Sequence, residues 1–485
     1  MIHFKSIYRI IGFLLFIEAA VLLVCAAIPL LYREQDFFAF VCSTLCTACG
    51  GMVFYIAGKG AKHELTRRDG YIVVSVIWVL FTIFGSLPYI ISRVVPTYSD
   101  AFFETMAGFT TTGGTVMADV ESLPHGILFW RSLTQWIGGL GIIFFTVAVL
   151  PLFGVGNDVQ LFAAEAVGPT RAKIHPRIGI SGRWILFIYL LLTSSAAVVY
   201  WICGMNLFDA VNHALTTLAS GGFSTKNASI GAYGSPLLEY AVILFMFMSG
   251  INFTLLYFLL FKGKVKDLFR DTEFKFYFLA TVSVSLLLTV GIACTSHEPF
   301  FDSLRNSLFH VTAIITTTGF ATTNFTQWHP AFVMVLGLLM YVGSCAGSTS
   351  GSMKSIRIVL LFKLLRNEFY RILHPNAIKP VKINNKTISS SISQSIMAFT
   401  IFYVLIIFAG WLVFIVLGMS MSDAYAATVS LIGNIGVATN GLGDTISWNT
   451  LTSVAKIFGS LIMLVGRLEI FPVLLLLSKD FWNKK

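Results

Sequence analysis

The sequence predicts an all-α integral membrane protein in which two N-terminal helices precede four related units. Three observations predict this fold class. Of the 485 residues, 56% are hydrophobic and only 12% are charged, whereas about a quarter of a soluble domain is charged. Apolar runs long enough for a bilayer crossing of about 20 residues alternate with short basic loops. A polar turn that contains glycine occurs four times, at intervals of 109, 97 and 117 residues.

The N-terminal segment, 1–70, contains two apolar spans near 10–32 and 37–58. The first span is too long for the apolar region of a signal peptide and matches a full membrane crossing. No glycine-containing turn separates the two spans. The loop after them carries four basic residues, so the positive-inside rule places it and the N-terminus in the cytoplasm: Lys59, Lys62, Arg67 and Arg68.

Four units follow, at 71–183, 184–275, 276–394 and 395–485. Each contains a first span, a short segment opened by an aspartate, a glycine turn and a second span. The first spans lie near 71–92, 184–204, 276–296 and 395–418. The second spans lie near 127–153, 237–261, 331–362 and 453–478. Because each unit crosses twice and ends in basic residues, we expect four parallel units with their turns at the outer face.

The glycine turns are turn 1 (110–114), turn 2 (219–223), turn 3 (316–320) and turn 4 (433–437). An aspartate precedes the turn glycine by 13, 13, 17 and 13 residues, respectively. Such segments are too short to span a bilayer at about 1.5 Å per residue. Each is therefore predicted to be a half-helix that enters the membrane and stops, with its aspartate as the N-cap: Asp100, Asp209, Asp302 and Asp423.

The four turns suit a cation. The C-terminal end of each half-helix would direct partial negative charge and unpaired carbonyls inward. Glycine allows a backbone whose carbonyls all point the same way. Any one turn could be an ordinary surface loop, but four matching copies favour a lined cavity at membrane depth. Around a common axis they would form a ring of carbonyl oxygens that replaces the hydration shell of an alkali cation, and thus a central ion pore.

Several motifs carry a family resemblance. They are Thr110-Thr111-Thr112-Gly113, Gly221-Gly222-Phe223-Ser224-Thr225, Thr317-Thr318-Gly319-Phe320 and, near the end, Gly466-Arg467-Leu468-Glu469. With them the chain resembles the Trk/Ktr/HKT superfamily of potassium transporters. More narrowly, it resembles the TrkH/TrkG-type membrane subunits of bacterial Trk potassium uptake systems. The resemblance covers nearly the whole chain, including the two extra N-terminal spans.

The resemblance implies potassium uptake across the bacterial inner membrane through M1–pore helix–M2 repeats. It also implies a homodimer with one pore per protomer, a cytoplasmic TrkA-like nucleotide-binding regulatory subunit, and no organic cofactor on this chain. In sodium-favouring relatives the first filter glycine is often serine, so glycine in all four turns supports potassium. Turn 4 is the least regular. The implied potassium ligands are backbone carbonyls of Thr111, Thr112, Gly113, Ser220, Gly221, Gly222, Thr317, Thr318, Gly319, Asn434, Ile435 and Gly436.

The last span of the third unit is interrupted by a run of small residues, 343–352. This run should break the helix. We interpret it as a mobile intramembrane loop (343–354) beneath the filter, and the resemblance points to a gate. The alternative is close helix packing through glycines spaced four apart. The predicted gate residues are Gly343, Gly347, Ser348, Gly351, Lys354 and Arg467.

Arg467 lies deep in the final apolar span. A charge at that depth costs at least about 2.5–3.5 kcal/mol unless it faces water or a partner. We therefore expect Arg467 to face the pore as a positive barrier that limits cation leak. The alternative is a structural ion pair with an acid such as Glu469.

Other classes of function fit less well. A cation-coupled secondary transporter, driven by sodium or protons, often uses inverted repeats, whereas these units are predicted to be parallel. An enzyme is not expected, because no constellation of metal ligands or nucleophile is present. The basic residues lie in short loops between spans, which argues against nucleic-acid binding. Cys42, Cys46 and Cys49 share one helical face and are expected to face lipid or neighbouring helices rather than a metal.

Overall fold

The computed structural model describes residues 2–61, 66–141, 178–296, 299–376, 380–384, 386–438 and 446–483. Within these ranges, six helices are long and apolar enough to cross a membrane, and two bent helix pairs could each add one more span. The same ranges contain one antiparallel hairpin, Lys382–Ile383 with Lys386–Thr387. The prediction of an all-α, multi-pass membrane protein is thus confirmed.

The two N-terminal helices pack against each other through glycines. The first, Phe4–Cys25, continues into Ala27–Tyr32, and the second is Phe37–Ala57. A Cβ atom on Gly12 would lie 2.6 Å from the backbone nitrogen of Tyr55. This backbone contact is typical of membrane helices that meet at small residues. The three cysteines of the second helix are exposed, in keeping with a lipid-facing position: Cys42, Cys46 and Cys49.

The first helix of each unit begins four to six residues before its predicted start. These helices are Arg67–Gly85 with Leu87–Ile91, Ile178–Ile202, Thr272–Ser296 and Ser390–Val416. Four short helices follow them in turn and are the predicted half-helices. They are half-helix 1 (Tyr98–Phe109), half-helix 2 (Leu207–Leu218), half-helix 3 (Phe300–Ile315) and half-helix 4 (Met421–Ile432).

The prediction that an aspartate caps each half-helix is wrong by one turn. Asp100, Asp209, Asp302 and Asp423 all occupy the third helical position. In units 1, 2 and 4 the N-cap side chain accepts a hydrogen bond from the aspartate backbone N–H. Short hydroxyl and amide side chains suit an N-cap, while an acid in the first turn still favours the positive end of the helix dipole. The N-caps are Thr97, Asn206, Pro299 and Ser420.

The second helices of units 2 and 4 are bent rather than straight, which corrects the predicted spans 237–261 and 453–478. Pro236–Ser249 meets Phe253–Lys262 at 109°, and Ser453–Arg467 meets Phe471–Leu477 at 116°. The first bend occurs where the Asn252 side chain accepts a hydrogen bond from Thr254 N–H and starts a new helix. The second occurs where Glu469 and Ile470 have φ values of 53° and 68°.

The second helix of unit 1, His125–Leu140, ends at Gly141, and the rest of the predicted span 127–153 lies outside the described residues, as does Lys62. In unit 3 the predicted break is confirmed: Pro330–Leu339 ends before the intramembrane loop and Ser355–Leu373 begins after it. The remaining short helices are Ser229–Tyr233, Val265–Arg270, Phe325–Gln327, Trp448–Thr450 and Lys479–Trp482.

The glycine contact between the N-terminal helices gives a stability prediction. Replacing Gly12 with leucine should lower the melting temperature of the protein in detergent, because the new side chain would collide with the backbone of the partner helix. Overpacking of this kind costs about 1–3 kcal/mol. The matched control is Gly337→Leu, since a Cβ on Gly337 has no neighbour within 4 Å. Equal melting temperatures for the two variants would contradict this packing.

Candidate functional site

The four glycine turns share one backbone conformation. Each has a left-handed residue at its second position, with φ of 54°, 55°, 57° and 53° at Thr111, Ser220, Thr317 and Asn434. Each also has positive φ at its glycine, with 79°, 76°, 74° and 80° at Gly113, Gly222, Gly319 and Gly436. Turn 4 looks least regular in sequence but has the same geometry as the others. The four turns therefore have the same backbone shape even where their side chains differ.

Each half-helix holds the turn that follows it. The amide of the third turn residue donates a hydrogen bond to a carbonyl in the last turn of the helix, in the manner of a helix C-cap. The path of each turn is therefore set by the end of its half-helix. The four bonds are Thr112 to Ala107 (2.8 Å), Gly221 to Thr216 (2.9 Å), Thr318 to Ala313 (2.8 Å) and Ile435 to Ser430 (3.0 Å).

The four turns close into a ring. A Cβ atom added to any of the four turn glycines would collide with the carbonyl oxygen of the third residue in a neighbouring turn. The pairs run in cyclic order through units 1, 2, 3 and 4 and back to unit 1. They are Gly113 with Gly221, Gly222 with Thr318, Gly319 with Ile435, and Gly436 with Thr112. The structure thus brings together all twelve residues named as potassium ligands, at one place and around one axis.

The ring lies inside the protein. The polar members of the turns are fully buried, so water outside the ring does not reach them. Non-helical backbone at membrane depth is stable only where protein or an internal water-filled cavity satisfies it. The buried polar residues are Thr110, Thr111, Thr112, Ser220, Thr316, Thr317, Thr318 and Asn434.

Two of the ring carbonyls also accept hydrogen bonds from side chains. The amide nitrogen of Gln135 donates to the carbonyl of Gly221 at 2.7 Å. The indole nitrogen of Trp448 donates to the carbonyl of Gly436 at 3.0 Å. A carbonyl oxygen has two lone pairs, so each can hold a side-chain donor and still face a cation. These contacts make the ring chemically asymmetric.

The intramembrane loop (343–354) is closed at its neck. The N–H of Gly343 donates to the carbonyl of Met353 at 2.8 Å, and the N–H of Ser355 donates to the carbonyl of Ser344 at 3.0 Å. Gly347 has φ of 73°, and the Ser348 hydroxyl donates to the Cys345 carbonyl. Because these glycines lie in a loop rather than on a helix, the alternative of glycine-mediated helix packing is wrong.

The tip of the loop contacts three of the four turns. The Thr349 hydroxyl lies 2.8 Å from the Ser220 hydroxyl in turn 2. The N–H of Gly351 donates to the Thr317 hydroxyl in turn 3 at 2.7 Å. In turn 4, the Gly433 carbonyl accepts from the N–H of Ser352 at 3.0 Å. The loop therefore lies directly against the ring.

Arg467 links this loop to the first unit. Its guanidinium donates to the carbonyl of Thr349 at 2.8 Å and to the carbonyl of Gly138 in His125–Leu140. Glu469, the acid considered as a structural partner, forms an ion pair with Arg357. These contacts place the Arg467 charge beside the loop tip, and its role at a pore stays a prediction.

Lys354 and Glu273 also hold the loop, and only Lys354 was predicted from the sequence. Lys354, a predicted gate residue, is buried and donates to the carbonyl of Ser350. Glu273 was missed: one of its carboxylate oxygens accepts from the N–H groups of Ala346 (2.5 Å) and Ile356 (3.2 Å), one within the loop and one just after it. An acid at the start of an apolar span was the signal that could have found it.

A buried ion pair behind turn 1 was also missed. Glu104 accepts from Arg131 Nε at 2.8 Å and from the N–H of Val116 at 2.9 Å. Arg131 also donates to the carbonyl of Ser224, just after turn 2. The loops that follow turns 1 and 2 are joined by a hydrogen bond from the Asn227 amide to the Asp119 carboxylate at 2.7 Å. This hydrogen bond lowers the pKa of Asp119. Units 1 and 2 are therefore tied together outside the ring.

Fold and site together define a multi-pass membrane protein whose four units build one backbone ring with a loop packed against it. A family model described as TrkH, cation transport protein, matches residues 37–484, and the chain belongs to this family. It is 35% identical to the Trk system potassium uptake protein TrkH of Salmonella typhimurium over 99% of this chain and 100% of that protein. It is 34% identical to TrkG of Escherichia coli, over 99% of both.

The fold comparison agrees with the sequence comparison. The crystal structure of the potassium transporter TrkH from Vibrio parahaemolyticus superposes with a TM-score of 0.90 and 33% sequence identity. The match covers 99% of this chain and 100% of that one. The predicted family and fold are therefore confirmed.

The ring geometry gives a prediction for Gly222. The change Gly222→Ala should reduce cation uptake into liposomes more than about tenfold, a loss of about 1.4 kcal/mol or more, because the methyl group would collide with the Thr318 carbonyl. The matched control is Gly234→Ala, which also introduces a Cβ at positive φ (54°) but into open space. If both variants transport equally, the ring does not depend on this contact.

Proposed function

We propose that this protein conducts potassium ions into the cell through the ring formed by turns 1 to 4. The observation that carries this proposal is the cyclic contact of four glycines with four carbonyl oxygens. Rings of backbone carbonyls replace the hydration shell of potassium in selective channels. The twelve turn residues named above would supply the ligands through their main-chain oxygens, and potassium is the transported substrate. The names of the curated relatives support the same substrate.

We further propose the cellular setting that the family resemblance implies. The chain would lie in the bacterial inner membrane with its N-terminus in the cytoplasm, as a homodimer with one pore in each protomer. A cytoplasmic TrkA-like nucleotide-binding subunit would regulate it. The basic loops between spans support the orientation, and the relatives' designation as parts of a Trk system supports a regulatory partner.

The intramembrane loop and Arg467 would form the gate of this pathway. The support is the placement of the loop tip against turns 2, 3 and 4, together with the contact between Arg467 and Thr349. A fixed positive charge beside the ring repels an approaching cation over several ångströms, since charges in a protein interior are poorly screened. Displacement of the loop would open the path below the ring.

Flux measurements on the purified protein test the function. In liposomes with an imposed inside-negative potential, potassium and rubidium should enter faster than sodium, because the ring replaces their hydration shells most readily. The entry rate should follow the membrane potential without a sodium or proton gradient. Flux that requires such a gradient would instead support a cation-coupled secondary transporter. No potassium flux under either condition would refute the proposed function.

Removal of the Arg467 charge tests the gate. Arg467→Ala should raise basal potassium flux in liposomes roughly tenfold, equivalent to about 1.4 kcal/mol of barrier, because both the repulsion and the contact with Thr349 are lost. Arg371→Ala is the control, because Arg371 forms an exposed ion pair with Glu368 and lies outside the four turns and the intramembrane loop. Unchanged basal flux in a folded Arg467→Ala protein would eliminate the barrier role.

A further inference from the structure

The Gln135 side chain, in the second helix of unit 1, is hydrogen-bonded to turn 2 of the ring. It lies in His125–Leu140 and is fully buried. Its amide nitrogen donates to the carbonyl of Gly221 at 2.7 Å, and its amide oxygen accepts from the N–H of Phe223 at 3.1 Å. One side chain thus holds turn 2 on both sides of Gly222.

Turn 2 has a sequence that matches this contact. Its third residue is Gly221, where turns 1, 3 and 4 have Thr112, Thr318 and Ile435. A Cβ atom on Gly221 would collide with the amide group of Gln135. Unlike Gly222, Gly221 does not have positive φ, so its backbone does not require glycine. The missing side chain therefore makes room for Gln135.

The arrangement is confined to one unit. The four helices that follow the turns contain a single asparagine or glutamine, Gln135; these helices are His125–Leu140, Pro236–Ser249, Pro330–Leu339 and Ser453–Arg467. Arg131, one helical turn before Gln135, shares its face. The Arg131 guanidinium lies 4.2 Å from the centroid of the Phe223 phenyl group and donates to the carbonyl of Ser224. This face of the helix therefore holds turn 2 and the residue that follows it.

We propose that Gln135 is a positioning residue that sets the cation selectivity of the ring. The inference rests on the proposed transport of potassium. Discrimination between potassium and sodium depends on the number and the placement of the carbonyl ligands. Turn 2 contains two consecutive glycines, and glycine has the greatest backbone freedom of any residue. Gln135 restrains this pair, and it keeps the Gly221 carbonyl beside Gly113 in turn 1.

The loss of this restraint should be visible in selectivity. Gln135→Met conserves the volume of the side chain but removes both hydrogen bonds. We expect the ratio of sodium to potassium flux to rise about tenfold, the effect of one or two neutral hydrogen bonds. The concentration of potassium for half-maximal flux should rise more than the maximal rate falls, because ion binding is what the placed carbonyl supports.

A double-mutant cycle with Gly221 tests the same contact from the other side. Gly221→Ala in the wild-type background should reduce potassium flux and relax selectivity, because the methyl group collides with the Gln135 amide. In a Gln135→Ala background the collision with the Gln135 amide is removed, so Gly221→Ala should reduce flux and selectivity by a several-fold smaller factor there than in the wild type. Equal effects of Gly221→Ala in both backgrounds would overturn the proposal. The cycle decides the matter even if Gln135→Met folds poorly.

Trp136→Phe is the matched control. It removes one partly buried hydrogen bond, from the indole to the Thr193 hydroxyl at 3.1 Å, on the next residue of the same helix. It should alter thermal stability and leave the flux ratio unchanged. If Gln135→Met behaves like this control, Gln135 is only structural and the inference fails. If the wild-type protein carries no potassium, the proposed function fails instead, so the two failures are distinguished.

Discussion

Close approach of four main-chain segments is the constraint on which the rest of this structure depends. At Gly113, Gly222, Gly319 and Gly436 a neighbouring carbonyl oxygen occupies the space that a side chain would need. The same glycines have φ values that other residues rarely adopt. The half-helices, the paired membrane helices and the buried polar contacts around the ring all serve to hold these segments at that distance.

Much of this architecture could be predicted from sequence because its signals are local. Glycine and a preceding aspartate at similar spacing identified all four half-helices and turns, and hydroxyl residues were a further signal in turns 1, 2 and 3. Small residues at 343–352 identified the break in the third unit. Turn 4 was the exception, since Asn434 and Ile435 resemble nothing in the other turns. Its backbone nonetheless matches theirs, because asparagine tolerates the left-handed conformation that threonine and serine adopt at the same position.

The contacts that the sequence did not predict join residues far apart in the chain. Gln135 and Gly221 have no local pattern that relates them, although each is unusual at its own position. Glu104, Arg131 and Glu273 stood in apolar segments as charges without visible partners, which was an unused signal. The bends at 250–252 and 468–470 depend on contacts with the intramembrane loop and on local left-handed residues. The aspartates were misplaced by one helical turn because N-cap preferences allow several residue types.

The closed neck of the intramembrane loop has an energetic consequence. Because its two ends are hydrogen-bonded to each other, displacement of the loop as one unit would leave the contacts at its neck intact. Three of its described links to the ring are neutral hydrogen bonds, each worth about 0.5–1.5 kcal/mol net. Under the proposed gating role, displacing the loop would also break its charge-assisted hydrogen bonds to Arg467 and Glu273, each worth about 1.5–3 kcal/mol. The total cost is then at least of the order of the roughly 5.5 kcal/mol that inverts a two-state population from 1:99 to 99:1. The regulatory subunit proposed above would have to supply free energy on this scale to open the path.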